Sequence, residues 1–153
     1  MEWRQVDLKA GEVRLDPGTT KNDAARVFPF TSALRRVLED QQTIAETLTR
    51  EQGIIARYVF CYTTGQKTGQ RITESGFNKA WRKARIHAGC PGRIPHDFRR
   101  TAVRTLVRAG VPERVAMQLT GHKTRAVFER YNIVSSGDLR DAARRLDTYA
   151  SAV

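Results

Sequence analysis

Cysteine is scarce. Only Cys61 and Cys90 occur in a chain of 153 residues, far apart and outside any CxxC or histidine-flanked spacing. That argues against a disulfide framework and a structural zinc, and points to a reducing, cytoplasmic setting. Long apolar runs are missing too. No stretch approaches the roughly 20 residues that cross a bilayer, and neither a signal peptide nor a strongly basic amphipathic terminus supports a membrane partner. Internal repeats and low-complexity tracts are also absent. The last shortage is of negative charge: 16 Asp and Glu stand against 27 Lys and Arg, a net charge of +11. A surface that basic favours a polyanion, and nucleic acid is the usual one. With 40% apolar residues, the chain suffices for one compact domain with a real core.

Read in order, the first residues suggest a short extended segment, a turn at Lys9-Ala10-Gly11 and a strand from Glu12 to Leu15. Asp16-Pro17-Gly18 marks a turn, and a second strand, Ala25 to Phe30, answers across a loop that holds Lys21. A helix then starts near Thr31, whose hydroxyl can cap it, and stops at Gly53. Its Leu34, Val37, Leu38, Gln41, Ile44, Ala45 and Leu48 recur at helical spacing and predict a core face. Ile54 to Phe60 reads as a strand or extended core segment, and Tyr62 to Gln70 as a polar loop.

A second helix from Thr73 or Ser75 is expected to bury Phe77, Ala80, Trp81 and Ala84. Lys79, Arg82 and Lys83 lie among its other positions, an excess of one sign that suits phosphates. Pro95 leads into a helix whose inner face is predicted as Phe98, Ala102, Leu106 and Ala109, with Gly110 at its end. A short helix follows from Glu113 to Leu119, another is capped by Thr124, and an amphipathic one opens at Ser135 with Leu139, Ala142, Ala143, Leu146 and Tyr149 in register. The expected class is mainly α with a small N-terminal antiparallel sheet (α+β).

Chemistry concentrates between Pro95 and Tyr131. His96-Asp97-Phe98-Arg99 opens that stretch, Gly121-His122 follows two short helices later, and Tyr131 closes it. Two imidazoles can move protons or donate hydrogen bonds. A guanidinium fork matches two phosphate oxygens at once, and a phenol becomes a nucleophile once its proton is taken. Those are the parts of phosphoryl transfer without a metal. Each residue alone is more commonly structural; their joint spacing outweighs that.

The order His-x-x-Arg, Leu-x-Gly-His and a Tyr nine residues after that histidine resembles the catalytic domain of the tyrosine recombinases, the phage-integrase family. Here the matching residues are His96 and Arg99, then Leu119-Thr120-Gly121-His122, then Tyr131. Thr20-Lys21-Asn22 before Arg26-Val27-Phe28-Pro29 resembles the family's hairpin lysine. The resemblance implies a recombinase catalytic-domain fold over residues 1–153 and DNA strand exchange through a 3′-phosphotyrosine, with no metal or other cofactor. Tyr131 would be the nucleophile and Arg99 the phosphate clamp. His96 would assist proton removal, His122 would hydrogen-bond the phosphate, and Lys21 would protonate the leaving 5′-oxygen. Arg100, Lys79, Arg82, Lys83 and Lys123 are the expected contacts to duplex DNA. A tetrameric synapse on DNA and a nucleoid-associated life in a bacterial or phage-infected cytoplasm follow from the same resemblance.

The family's first catalytic arginine precedes the segment that matches Glu2 to Leu8, and Met1 stands at that point. The expectation is therefore a partial catalytic domain, without the core-binding domain and the first-arginine helix. Losing one phosphate clamp costs roughly 3–4 kcal/mol of transition-state stabilisation, by analogy with one lost oxyanion donor. Two rival readings are a recombinase-fold remnant that binds DNA without cutting it, and a helix-turn-helix regulator built on Arg104 to Gly121. The second leaves His96, Arg99, His122 and Tyr131 unexplained.

Overall fold

The computed structural model describes residues 1–18, 25–132 and 134–151. It divides into two compact units, Met1–Gly92 and Arg93–Val153.

The first unit is a three-stranded antiparallel meander against one long helix. Strands β1 (Val6–Asp7), β2 (Glu12–Leu15) and β3 (Arg26–Pro29) lie in sequence order. The turn between β1 and β2 closes on Asp7, whose carbonyl accepts from the Gly11 N–H and whose carboxylate accepts from the Ala10 N–H. Val13 stands opposite Phe28 in the β2–β3 ladder, and β3 is an edge strand, where Pro29 is tolerated. Lys21 falls in the β2–β3 connection, at a position outside the described residues.

Helix α1 (Ser32–Gln52) begins where Thr31 Oγ1 accepts from the Leu34 N–H and ends at a left-handed Gly53, as the sequence predicts. Val13, Leu38 and Val59 form the buried centre, with Trp3, Val6, Phe28 and Leu34 packed around it. Val37, expected on the core face, is 44% exposed.

Residues 54–60 do not form a strand. Tyr58 makes a single bridge to Glu2, because the chain then turns into a 3-10 helix at Trp3–Gln5, capped reciprocally by Glu2 and Gln5. Ala56 and Val59 are buried from this irregular segment. Helix α2 (Glu74–His87), capped by Thr73, buries no residue fully. Phe77, Ala80 and Ala84 are exposed and Trp81 is half-buried, contrary to the expected face. Two of those four positions are alanines, which bring too little apolar area to draw the helix into a core.

The second unit is helical throughout: α3 (Asp97–Arg108), α4 (Glu113–Thr120), α5 (Arg125–Glu129) and α6 (Ser136–Ala150). Val103, Ala116 and Phe128 form its core, ringed by Leu106, Val107, Val111, Met117 and Tyr131. The expected inner face of α3 is therefore displaced. Phe98, Ala102 and Ala109 are exposed, and Leu106 alone of that set packs inward. Val103, Leu106 and Val107 make the working stripe: helical spacing admits both series, and the two valines bring more apolar area to the core than Ala102 and Ala109 would. Helix α6 opens with a capping box between Ser135 and Asp138. The Arg108 guanidinium, 2.8 Å from Asp138, and the Ser135 donors hold that carboxyl well below the usual carboxylate range. No residue of α6 is buried: Leu139, Leu146 and Tyr149 are 65%, 69% and 72% exposed. No helix among the described residues is long and apolar enough to cross a membrane.

Candidate active site

Three backbone devices bring the site together within the second unit. His96 sits at the N-cap of α3 and Arg99 one turn later, so both share a helix face. Asp97 fixes this entry by accepting from the Ile94 N–H at 3.0 Å. Gly121 then ends α4 in the left-handed region, at φ 71° and ψ 33°. The His122 N–H reaches the Met117 carbonyl at 2.9 Å and the Gly121 N–H reaches that of Gln118, the bond pair of a glycine-terminated helix. A side chain at position 121 would strain this turn and move His122. Thr124 Oγ1 caps α5 through the Val127 N–H, and the buried Phe128 anchors that helix three residues before Tyr131.

His122 occupies the centre, 7% exposed. Its ring meets Phe128 edge-on at 5.5 Å and Tyr131 at 4.9 Å, while His96 lies 5.6 Å from Tyr131. The Arg99 Nε–H donates to His122 Nε2 at 3.3 Å, and Thr120 Oγ1 lies 2.7 Å from His122 Nδ1. Neither Nη of Arg99 nor the Tyr131 hydroxyl is hydrogen-bonded to a described residue. Arg99 and Tyr131 are each half-buried and His96 is exposed, so a fork, a phenol and one imidazole reach the surface around the buried His122. A tetrahedral anion with two free oxygens fits the fork. No group of three His, Cys, Asp or Glu that could share a metal ion occurs among the described residues.

The model of the phage integrase family matches residues 1–137. The chain belongs to the phage integrase family. It is 27% identical to an integrase of Salmonella phage P22 over 155 aligned positions, covering 97% of this chain and 38% of that protein. Tyrosine recombinase XerC of Bifidobacterium longum is 28% identical, over 92% of this chain and 39% of its own length. An integrase of Saccharopolyspora erythraea is 38% identical over a shorter 84 residues, 55% of this chain and 19% of that one. A crystal structure of XerA recombinase superposes with a TM-score of 0.73 at 20% identity, over 95% of this chain and 49% of that one. That match shows the fold. The chain thus spans about two fifths of the length of the P22 and XerC relatives.

Within this family fold, the structure brings His96, Arg99, His122 and Tyr131 together, and Lys21 lies outside the described residues. Lys79, Arg82 and Lys83 share one exposed face of α2, and Lys123 is exposed directly after His122. Arg100 is also exposed and stands 3.8 Å from Asp97 Oδ1, a contact of little energetic weight. Two neighbours escaped the sequence reading. Thr120 occupies the variable position of Leu-x-Gly-His, where the motif assigns no chemistry. Phe128 is visible in the sequence only as an apolar helix residue, yet it underlies the His122 ring.

Proposed function

We propose that the chain is the later part of a recombinase catalytic domain that cuts and rejoins duplex DNA by transesterification. The convergence of Arg99, His122, His96 and Tyr131 carries this reading. The Tyr131 oxygen attacks a backbone phosphorus while the Arg99 fork holds two non-bridging oxygens. The new bond is a phosphotyrosine at the 3′ side; the bond that breaks releases the 5′-oxygen. His96 takes the phenol proton, and His122 adds a hydrogen bond to the phosphate. Lys21, by resemblance, protonates the leaving oxygen. Bond energy is conserved in the ester, so no nucleotide cofactor is consumed. A nicked duplex carrying the target site, from which the cleaved strand diffuses away, traps the adduct. A chain extended upstream to the length of its relatives that forms none there would sink the reading.

Duplex binding follows from the +11 net charge and the exposed basic face of α2. Affinity is expected to fall steeply with salt, with a log–log slope of about −0.9 for each phosphate contacted, and to be indifferent to EDTA. An isotherm unchanged between low and moderate salt would count against it. The rival helix-turn-helix reading finds its α3–Gly110–α4 form in the structure, but gives the converging imidazoles and phenol no purpose.

The exposed apolar stripe of α6 supports self-association on DNA, with Leu139, Leu146 and Tyr149 covered by a second copy in a tetrameric synapse. Deleting residues after Ser136 is expected to weaken assembly on DNA and to spare folding of the monomer, since no residue of α6 is itself buried. Ultracentrifugation on a DNA duplex reads the difference; unaltered assembly refutes the role.

A further inference from the structure

We propose that Thr120 is a positioning residue: its hydroxyl holds His122 with the proton on Nδ1, which keeps the Nε2 lone pair for the Nε–H of Arg99. The inference deepens the transesterification reading and rests on it for its purpose, though not for its geometry.

Two contacts fix the tautomer independently. An arginine Nε–H can only donate, so the 3.3 Å contact from Arg99 requires a lone pair on His122 Nε2. A neutral imidazole then carries its proton on Nδ1. On the other side, Thr120 Oγ1 lies 2.7 Å from the Ala116 carbonyl and 2.7 Å from His122 Nδ1. A carbonyl only accepts, so the single hydroxyl hydrogen goes to Ala116 and the oxygen accepts from Nδ1–H. The result is a directed relay, Arg99 Nε–H to His122, His122 Nδ1–H to Thr120, Thr120 O–H to Ala116. The reverse tautomer would set two N–H donors against each other at 3.3 Å beside a nearly dry ring, where an unmatched donor is costly.

The relay matters for the phosphate. With its Nε held from the side, Arg99 keeps both Nη groups for two oxygens, and its fork is oriented before DNA arrives. In the free protein both ring nitrogens of His122 are thus engaged, Nδ1 with Thr120 and Nε2 with Arg99, so the hydrogen bond that His122 gives the phosphate in the proposed reaction requires Nε2 to leave Arg99 and take a proton.

Long-range 1H–15N correlation on the histidine-labelled chain, without DNA, tests this. His122, assigned against a His122→Gln sample, is expected as the Nδ1–H form, opposite to the tautomer an unconstrained histidine prefers. Thr120→Val keeps the shape and removes the hydroxyl; the Nε2–H form should appear, and the Arg99 Nε–H should exchange too fast to observe. Thr120→Ser should restore both signatures. A wild-type Nε2–H signal, or Nδ1–H and a protected Arg99 Nε–H retained in Thr120→Val, overturns the proposal. If Thr120→Val fails to fold, the wild-type tautomer decides. These readouts need no cleavage. An adduct without the Nδ1–H form refutes Thr120's role alone; the Nδ1–H form without any adduct refutes transesterification alone.

Discussion

Replacing Tyr131 with phenylalanine is expected to abolish covalent attachment to cleaved DNA while leaving the fold and DNA binding in place. The ring survives the change, and the ring makes the contacts, 4.9 Å from His122 and 5.6 Å from His96. The lost hydroxyl has no hydrogen-bond partner among the described residues, so its removal leaves no buried group unsatisfied. The assay is adduct formation on the nicked duplex, run with this chain and with a version extended upstream by an arginine-bearing helix. Arg99→Lys is the companion variant. It keeps the charge but loses both the fork and the Nε–H to His122. Loss of a charged hydrogen bond, about 1.5–3 kcal/mol, corresponds to roughly tenfold to hundredfold slower adduct formation, with binding nearly intact. An adduct that persists in Tyr131→Phe, through Tyr62 or Tyr149 for instance, would show that the nucleophile lies elsewhere.

Phe128→Ala is expected to cost about 3–5 kcal/mol, the largest stability effect among single changes in the second unit. Phe128 is fully buried beside Val103 and Ala116, with Leu106, Val107, Val111, Met117 and Tyr131 packed around them. Removing the phenyl ring from this close-packed centre leaves a cavity that the surrounding side chains fill only in part. Whole domains have only about 5–15 kcal/mol to lose. The T-shaped contact to His122 disappears with the ring, so the site should loosen as the helices do. Thermal unfolding followed by circular dichroism measures the loss, with Leu139→Ala, 65% exposed, as a control expected within about 0.5 kcal/mol of the parent. Equal melting temperatures for Phe128→Ala and the parent would refute the packing argument.

The elements legible in the sequence are those with local chemical signals. Thr31, Thr73, Thr124 and Ser135 each cap the helix that follows, and Gly53 and Gly121 end theirs in the left-handed region. The spacing from His96 to Tyr131 named the residues that converge. Less legible were the features that depend on distant partners. Which stripe of α3 turns inward is decided by Ala116 and Phe128 on other helices, so Phe98 misled and Val103 went unnoticed. At 54–60 the sequence left open a strand or an extended core segment; the chain takes the second form, burying Ala56 and Val59, because the capped Trp3–Gln5 turn offers no partner strand. Thr120 was hidden for a related reason. Its contribution is a bond to His122 across a glycine turn, and no periodicity records such a bond.

The core beneath the site is also local along the chain. Val103, Ala116 and Phe128 come from three successive helices, and the loops that join them are a few residues long. Closing such loops carries little entropic penalty, and helical structures dominated by near-neighbour contacts reach their native state on the microsecond-to-millisecond scale. During synthesis, however, the largest of the three core side chains is also the last to be added, and Tyr131 follows it by three residues. The chain therefore has no anchored phenol to offer until the ring that packs against His122 has been made, and of the converging side chains the phenol is completed last.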